Sequence, residues 1–354
     1  MAGFEDILKK LNIEKVIARF KKKEEFFGLD IGTKSVKIVQ LEGKRLISFG
    51  LEELPSPGPA EKTTVIKTIR KIIDENKIET NKVVTSVSGP SINVRYLKMP
   101  RMPEEEMSEA IKWEAKKYIT MDPKEAIMDH LVLREIVEAG VKKAEVVVAA
   151  APNGLVQDKI SLIQGAGLIP LAVDVASFAL WRSIKIKKEE TIALIDIGAG
   201  ITNINIVEKE ILHFSRDISL AGNDFTSAIS EEMNLDFHQA ERMKKAEGLS
   251  LEKETPATKA MRGPLERLVV EFERSFHYFL AQAPEKKIDR IILFGGSARL
   301  KGIDKYLNKS LGIPVELGNP LADIEFDEGT FDRRHLEDLS PRMAVAFGLA
   351  KREE

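Results

Sequence analysis

The sequence contains no cysteine. That excludes disulfides, thiolate catalysis and Cys-ligated zinc, and it suits a reducing compartment. Histidine is scarce as well. The five present are scattered, with no His-Glu-x-x-His or comparable spacing, so no His-based metal site is expected. There is no run of 18 apolar residues and no secretory signal, so no transmembrane helix is expected. Net charge is also small: 54 Lys and Arg stand against 56 Asp and Glu, leaving −2. No global field therefore recruits nucleic acid. What remains is a chain of 354 residues, 43% apolar and 31% charged, long enough for two domains with sizeable cores.

One stretch occurs twice. Gly28-Leu29-Asp30-Ile31-Gly32-Thr33-Lys34-Ser35-Val36-Lys37-Ile38-Val39 is matched by Leu194-Ile195-Asp196-Ile197-Gly198-Ala199-Gly200-Ile201-Thr202-Asn203-Ile204-Asn205. Each copy is an apolar run, then Asp-Ile-Gly, then a small or polar turn and alternating apolar residues, which predicts a β-hairpin. Asp30 and Asp196 lie about half a chain apart, as an internal duplication would place them. A glycine just after a strand lets backbone N–H groups approach an anion closely. The aspartate before it repels a phosphate but can hold hydrated Mg²⁺ that bridges to one. Two such hairpins facing each other would grip a nucleotide tail from both sides. A single Asp-Ile-Gly is equally well a strand end with a turn; the second copy favours the phosphate reading.

Around the repeat, residues 4–20 place Phe4, Ile7, Leu8, Leu11, Val16, Ile17 and Phe20 at helical spacing, with seven lysines and arginines between and after them up to Lys23. Such a basic amphipathic segment can lie on an anionic membrane or in a partner's groove, or pack on its own domain. Residues 46–51 read as a third strand, 54–59 as a proline-rich loop, 63–76 as a helix and 82–89 as a buried strand ending in a glycine turn. Residues 95–171 read as an inserted module. It has a helix from Pro103 to about 119 carrying Trp113 and Tyr118, strands at 131–137 and 144–151, and a helix capped by Asn153. Asp174 opens a small-residue helix. Beyond the second hairpin, residues 220–225 turn into a helix at Gly222, and 265–281 form an amphipathic helix whose Phe272, Phe276 and Phe279 are core. Residues 290–298 run from a strand into a Gly295-Gly296 turn, where a flat base or ribose can approach the backbone. Any strand-to-helix turn of an α/β protein would offer the same pattern. Residues 341–349 form a closing helix.

These pieces together resemble the actin-like ATPase superfamily of actin, Hsp70 and sugar kinases. Asp30-Ile31-Gly32-Thr33 and Asp196-Ile197-Gly198-Ala199-Gly200 resemble its two phosphate segments. Phe294-Gly295-Gly296-Ser297 resembles its adenosine segment, and residues 174–180 and 341–349 its two connecting helices. Within the superfamily the sequence is most similar to the PilM family of type IV pilus assembly, with FtsA next. The insertion follows the first domain's late strand, where both carry their special subdomain. Ala240-Glu241-x-x-Lys244 resembles the segment that holds adenosine in these proteins. FtsA continues into a membrane helix whereas this chain stops at Glu354, which favours PilM.

The resemblance implies an α/β actin-like ATPase fold, two duplicated RNase H-like domains around a nucleotide cleft. The expected division is a segment 1–25, then domain I over 26–190 plus 337–354 with its FtsA-type inserted subdomain at about 95–171, then domain II over 191–336 with an outer subdomain at about 223–287. It implies ATP and Mg²⁺ as ligands. Nucleotide contacts are expected from Gly32, Thr33, Lys34, Gly198, Ala199, Gly200, Gly222, Glu241, Lys244, Gly295, Gly296 and Ser297. Metal contacts are expected from Asp30 and Asp196, and Asp174 is expected to orient water or metal. Lys34 either neutralises phosphate or is an exposed lysine beside a turn. The resemblance further implies a partner, the cytoplasmic N-terminal segment of a PilN-like membrane protein, and a place in the cytoplasm at the inner face of the inner membrane. Self-association and lipid contact through residues 1–25 are further expectations. Hydrolysis is expected to be weak or absent. Three functions remain open at this level: a nucleotide-dependent pilus scaffold, an FtsA-like filament-forming ATPase, and a metabolic kinase. The kinase is disfavoured because no sugar-kinase aspartate motif follows the second phosphate segment.

Overall fold

The computed structural model describes residues 25–55, 60–115, 117, 125–138, 140–250, 254–282 and 285–352. The basic segment 1–24, residues 56–59 of the proline loop and Tyr118 lie outside the described residues.

Alternating apolar residues build the first sheet from β1 (Phe27–Ile31), β2 (Ser35–Glu42), β3 (Arg45–Glu53), β4 (Lys82–Val87) and, much later in the chain, β8 (Ile169–Val175). Its order is β3-β2-β1-β4-β8, with β1–β2 and β2–β3 antiparallel and β1–β4 and β4–β8 parallel. The second sheet repeats this wiring with β9 (Thr191–Ile197), β10 (Thr202–Glu208), β11 (Ile211–Ile218), β12 (Arg290–Phe294) and β13 (Val315–Leu317), in the order β11-β10-β9-β12-β13. Again the first three strands are antiparallel and the remaining pairs parallel. The duplication read from two Asp-Ile-Gly stretches thus extends to whole sheets.

Between β4 and β8 the chain forms a third sheet, β5 (Asn93–Pro100), β6 (Ala126–Glu138) and β7 (Val141–Pro152), ordered β5-β7-β6 and covered by α2 (Glu104–Ala115). This separate sheet spans 93–152, a shorter module than the expected 95–171. The following α3 (Asn153–Gly165) packs with α1 (Lys62–Glu75) over the first sheet, and β8 pairs with β4. Asn153 is the first helical residue of α3 and not its cap: Pro152 takes the cap position, and the Asn153 amide donates to Glu125 O at 2.7 Å.

On its other face the first sheet carries α4 (Ala176–Ser183) and α10 (Ala344–Ala350). Both helices are rich in small residues and approach closely. A Cβ on Gly28 would overlap Ala346 O, and one on Gly348 would overlap Ala179 O. Val84, Ala179, Leu180, Leu194, Phe294 and Leu349 form one cluster here, so the two sheets share a core through these helices. Each large buried side chain contributes roughly 1.5–3 kcal/mol. The second sheet's outer face is covered by α5 (Gly222–Met233), α6 (Phe237–Glu247), α7 (Pro256–Gln282) and α8 (Ile303–Leu311). The α7 aromatic stripe of Phe272, Phe276 and Phe279 is buried there, as its spacing predicts. A short α9 (Arg333–Leu339) precedes α10.

Candidate functional site

The two hairpin turns meet. A Cβ on Gly200 would lie 2.8 Å from Thr33 Oγ1. Each turn is closed by the same bond, Gly32 N–H to Ser35 O and Gly198 N–H to Ile201 O, both 3.0 Å. The two glycine amides are therefore spent within their own turns. Among the described residues, the amides of Thr33, Lys34, Ala199 and Gly200 donate to no protein acceptor, and these are the donors left for an anion.

The duplicated aspartates differ in company. In the first hairpin Asp30 stands opposite Lys37, whose Nζ lies 2.7 Å from Asp30 Oδ2. In the second, Asp196 stands opposite Asn203, and Asn203 opposite Asp217 on the next strand. Asn203 Nδ2 donates to Asp217 Oδ1, and no described residue donates to the Asp196 carboxylate. Burial pushes Asp196 up to about 7; Lys37 opposes this, while Asp30 and Asp217 add to it. Asp30 thus carries its own counter-ion, whereas among the described residues no cation pairs directly with Asp196. Among the described residues no group of three or more acidic or histidine side chains could cage a metal by itself. The donor set fits a hydrated cation leaning on Asp196 and completed by a ligand, rather than an all-protein cage.

The Gly295-Gly296-Ser297 turn abuts the second hairpin. Gly295 has φ +90°, and a Cβ there would overlap Asp196 Oδ1 and Ile197 O. Ser297 Oγ donates to Gly198 O at 2.9 Å, and Gly222 packs against both Ser297 and Gly198 O. Gly296 is open, its nearest neighbour being Arg342 Nε at 3.9 Å.

Glu241 and Lys244 lie on α6, one turn apart. Lys244 Nζ reaches Glu241 Oε2 at 2.7 Å, Thr226 Oγ1 at 2.7 Å and Gly222 O at 2.9 Å. Glu241 also accepts from Thr226 Oγ1 at 2.6 Å and pairs with Lys34 of the first hairpin at 3.0 Å. Burial alone would raise the Glu241 carboxyl, but Lys244, Thr226 and Lys34 together hold it down at about 2. The Lys34 side chain thus spans from the first hairpin turn to the segment expected to hold adenosine.

Asp174 sits at the end of β8, inside the strand and not in the helix after it. Its Oδ1 accepts the Val175 amide at 2.7 Å. Its Oδ2 pairs with Arg182, and with Arg352 at 3.0 Å. Both oxygens are engaged by protein groups, so the carboxylate expected to orient water is occupied here by two arginines.

Three contributions escape a reading of the sequence alone. Lys37 sits across the hairpin from Asp30. Asp217 accepts the Gly89 amide at 2.5 Å and ties the end of β4 to β11. Lys159 of α3 donates to Ile31 O at 2.7 Å, immediately before the first turn. Only Lys37 had a readable signal, because hairpin pairing around a short turn fixes which residues oppose.

Two identically wired sheets, sharing two close-packed helices and presenting facing Asp-Ile-Gly turns, define the actin-like ATPase fold. Residues 28–354 match the family described as type IV pilus assembly protein PilM. A solved structure, "PilM-PilN type IV pilus biogenesis complex", is 30% identical, with a TM-score of 0.83 over 92% of this chain and 98% of that one. The chain belongs to the PilM family of type IV pilus assembly proteins. At 16% identity and a TM-score of 0.51, the MreB5 of Spiroplasma citri shares the fold over 93% of this chain and 95% of its own. The cell division protein FtsA of Bacillus subtilis is 25% identical over 261 residues, covering 64% of this chain. The chain spans 58% of the length of that relative. No helix among the described residues is long and apolar enough to cross a membrane.

Proposed function

We propose that this protein is an ATP-binding cytoplasmic scaffold of the type IV pilus inner-membrane assembly platform, recruited to the inner face of that membrane by the cytoplasmic N-terminal segment of a PilN-like protein. The observation that carries the reading is the 30% identity, over nearly all of both chains, to the structure of a PilM–PilN complex. Residues 26–190 plus 337–354 act as one domain and 191–336 as the other.

Nucleotide enters between the two hairpins. The free amides at Thr33, Lys34, Ala199 and Gly200 receive phosphate oxygens, and Lys34 supplies positive charge beside them. Gly32 and Gly198 shape these turns. Gly222, Gly295, Gly296 and Ser297 form a flat wall for the adenosine, which Glu241 and Lys244 border. Asp196 would hold a hydrated Mg²⁺, while Asp30 is balanced by Lys37. When bound, Mg²⁺ supplies charge neutralisation between the phosphates and these carboxylates. Asp174, paired to two arginines, favours slow turnover.

Calorimetric titration tests this in two steps. MgATP is added first, then a synthetic peptide of the N-terminal segment of a PilN-like protein, with and without nucleotide. Saturable binding of both, with negligible turnover, is the expected result. Absence of nucleotide binding overturns the cleft assignment, and absence of peptide binding overturns the scaffold. The FtsA relationship favours one alternative, a filament-forming ATPase. Nucleotide-dependent sedimentation of the protein alone would favour that reading.

A further inference from the structure

Helix α3 joins two regions that the sheets keep apart. It begins directly where β7, the central strand of the inserted sheet, ends at Pro152. Its Asn153 amide donates to Glu125 O at 2.7 Å, beside the start of β6. Val156 packs with Ala151 and Val87, and Ile163 enters the core beneath β1. Midway along, Lys159 extends to the carbonyl of Ile31 at 2.7 Å. That carbonyl lies at the end of β1, past the last β1–β4 pair, Leu29 with Thr85. The ammonium therefore holds β1 on the side where pairing with β4 has ended, while β1 stays paired with β2 through Ile31 and Val36, directly before the first hairpin turn. A charge-assisted bond to a carbonyl is stronger than a neutral one, and burial raises what is lost when it breaks. Lys159 is partly buried, and burial pulls its ammonium down to about 8. Asp30 opposes that shift and Lys37 adds to it, so all three charges share one locality.

We propose that Lys159 is a positioning residue which fixes the first phosphate turn and makes α3 a strut between that turn and the inserted sheet. It touches neither nucleotide nor metal. It holds the Ile31 carbonyl, and so the direction of the chain through Asp30, Gly32 and Thr33. Movement of the inserted sheet displaces the start of α3, and Lys159 passes that displacement to the turn. The nucleotide consequence rests on the proposed function, whereas the mechanical one does not.

The test uses the full chain with Lys159→Met, which keeps the stem and removes the ammonium, and Lys159→Arg, which restores a cation. Hydrogen exchange without ligand is the first readout. Lys159→Met is expected to speed exchange about tenfold or more at the hydrogen-bonded amides within residues 30–36, above all Gly32, which donates to Ser35 O, leaving the matching second-hairpin amides, such as Gly198, unchanged. Lys159→Arg is expected to recover most of the protection. Affinity for a fluorescent ATP analogue is the second readout, expected to fall about tenfold in Lys159→Met. Strut action is read by adding Ile111→Ala, which loosens α2 on the inserted sheet, where Ile111 is buried. That change is expected to speed exchange at 30–36 in the wild-type background and to add nothing in Lys159→Met, a non-additive cycle. Unchanged exchange at 30–36 in Lys159→Met overturns the positioning role, and a fully additive cycle overturns the strut. If the wild type binds no nucleotide, the proposed function fails, and the exchange measurements still decide the role of Lys159.

Discussion

Lys34 and Glu241 form a 3.0 Å ion pair that joins the first hairpin turn to helix α6 of the other half. Lys34 sits in one half of the internal duplication, and its partner is a carboxylate that the other half already satisfies. Glu241 keeps Lys244 and Thr226 when Lys34 is removed, but Lys244 loses its only carboxylate partner among the described residues when Glu241 is removed.

The two partners should therefore differ sharply on substitution. Glu241→Gln leaves the nearly buried Lys244 ammonium without a counter-charge, and such breakage costs about 3–5 kcal/mol. Lys34→Met breaks only the inter-half pair and costs about 1 kcal/mol or less. Urea unfolding of the two variants measures both numbers. Equal losses would mean that Lys34 supports the fold of α6 and is not merely a bridge to it.

Asp196 sets a pH dependence. Its folded value of about 7 lies above the ordinary 3.8, so the folded state holds the proton more tightly than the unfolded chain. That contribution to stability is fully present below about pH 4 and is lost as pH rises through about 7. Asp196→Asn removes a partly buried charge with no direct cation partner among the described residues and should raise the melting temperature at about pH 8, with a smaller effect at about pH 5. The same variant should lose Mg²⁺-dependent nucleotide binding. Thermal scans at the two pH values decide the first point. A melting temperature lowered at about pH 8 would reveal a partner for the carboxylate.

Much of this was legible in the sequence, for physical reasons that also mark where legibility stopped. Asp30-Ile31-Gly32 and Asp196-Ile197-Gly198 are local signals: a strand, a glycine and a return strand leave few alternatives, and the structure has hairpins at both. The α7 stripe of Phe272, Phe276 and Phe279 follows from helical period and is core. The sequence places the insertion at about 95–171, whereas the separate sheet spans 93–152, because neither α3 nor β8 carries a local mark of which sheet it joins. Only the long-range pairing of β8 with β4 assigns that strand to the first sheet. Asp174 resembled a water-orienting acid by position, but its arginine partners come from eight residues further on and from the far end of the chain, beyond the reach of any local pattern.

Gly295 tests the wall of the cleft. At φ +90° any L side chain is strained by about 1–3 kcal/mol, and a methyl group there also overlaps Asp196 Oδ1 and Ile197 O. Gly295→Ala should therefore destabilise the protein by about 2–4 kcal/mol and displace the Asp196 carboxylate. Gly296→Ala is the control, since its added methyl meets nothing nearer than Arg342 Nε at 3.9 Å, and its cost should stay near 0.5 kcal/mol. Parallel denaturant curves give the comparison. Equal effects at the two positions would argue against close contact between this turn and the second hairpin.

Asp174 separates a structural carboxylate from a catalytic one. It is buried, and its Oδ2 is shared by Arg182 of α4 and Arg352 just beyond α10, the two helices between the sheets. Asp174→Asn keeps the shape, removes the charge, and leaves both guanidinium groups to partly solvated surroundings. The loss should be about 1–3 kcal/mol, since neither arginine is fully buried. Because both oxygens are already engaged by the protein, ATP turnover at saturating nucleotide should not change beyond what the unfolded fraction explains. Measuring turnover well below the melting transition, with nucleotide occupancy checked separately, isolates the chemistry from the fold. A large fall in turnover with an unchanged melting temperature would mean that the arginines release the carboxylate when nucleotide enters, and that Asp174 then orients the attacking water.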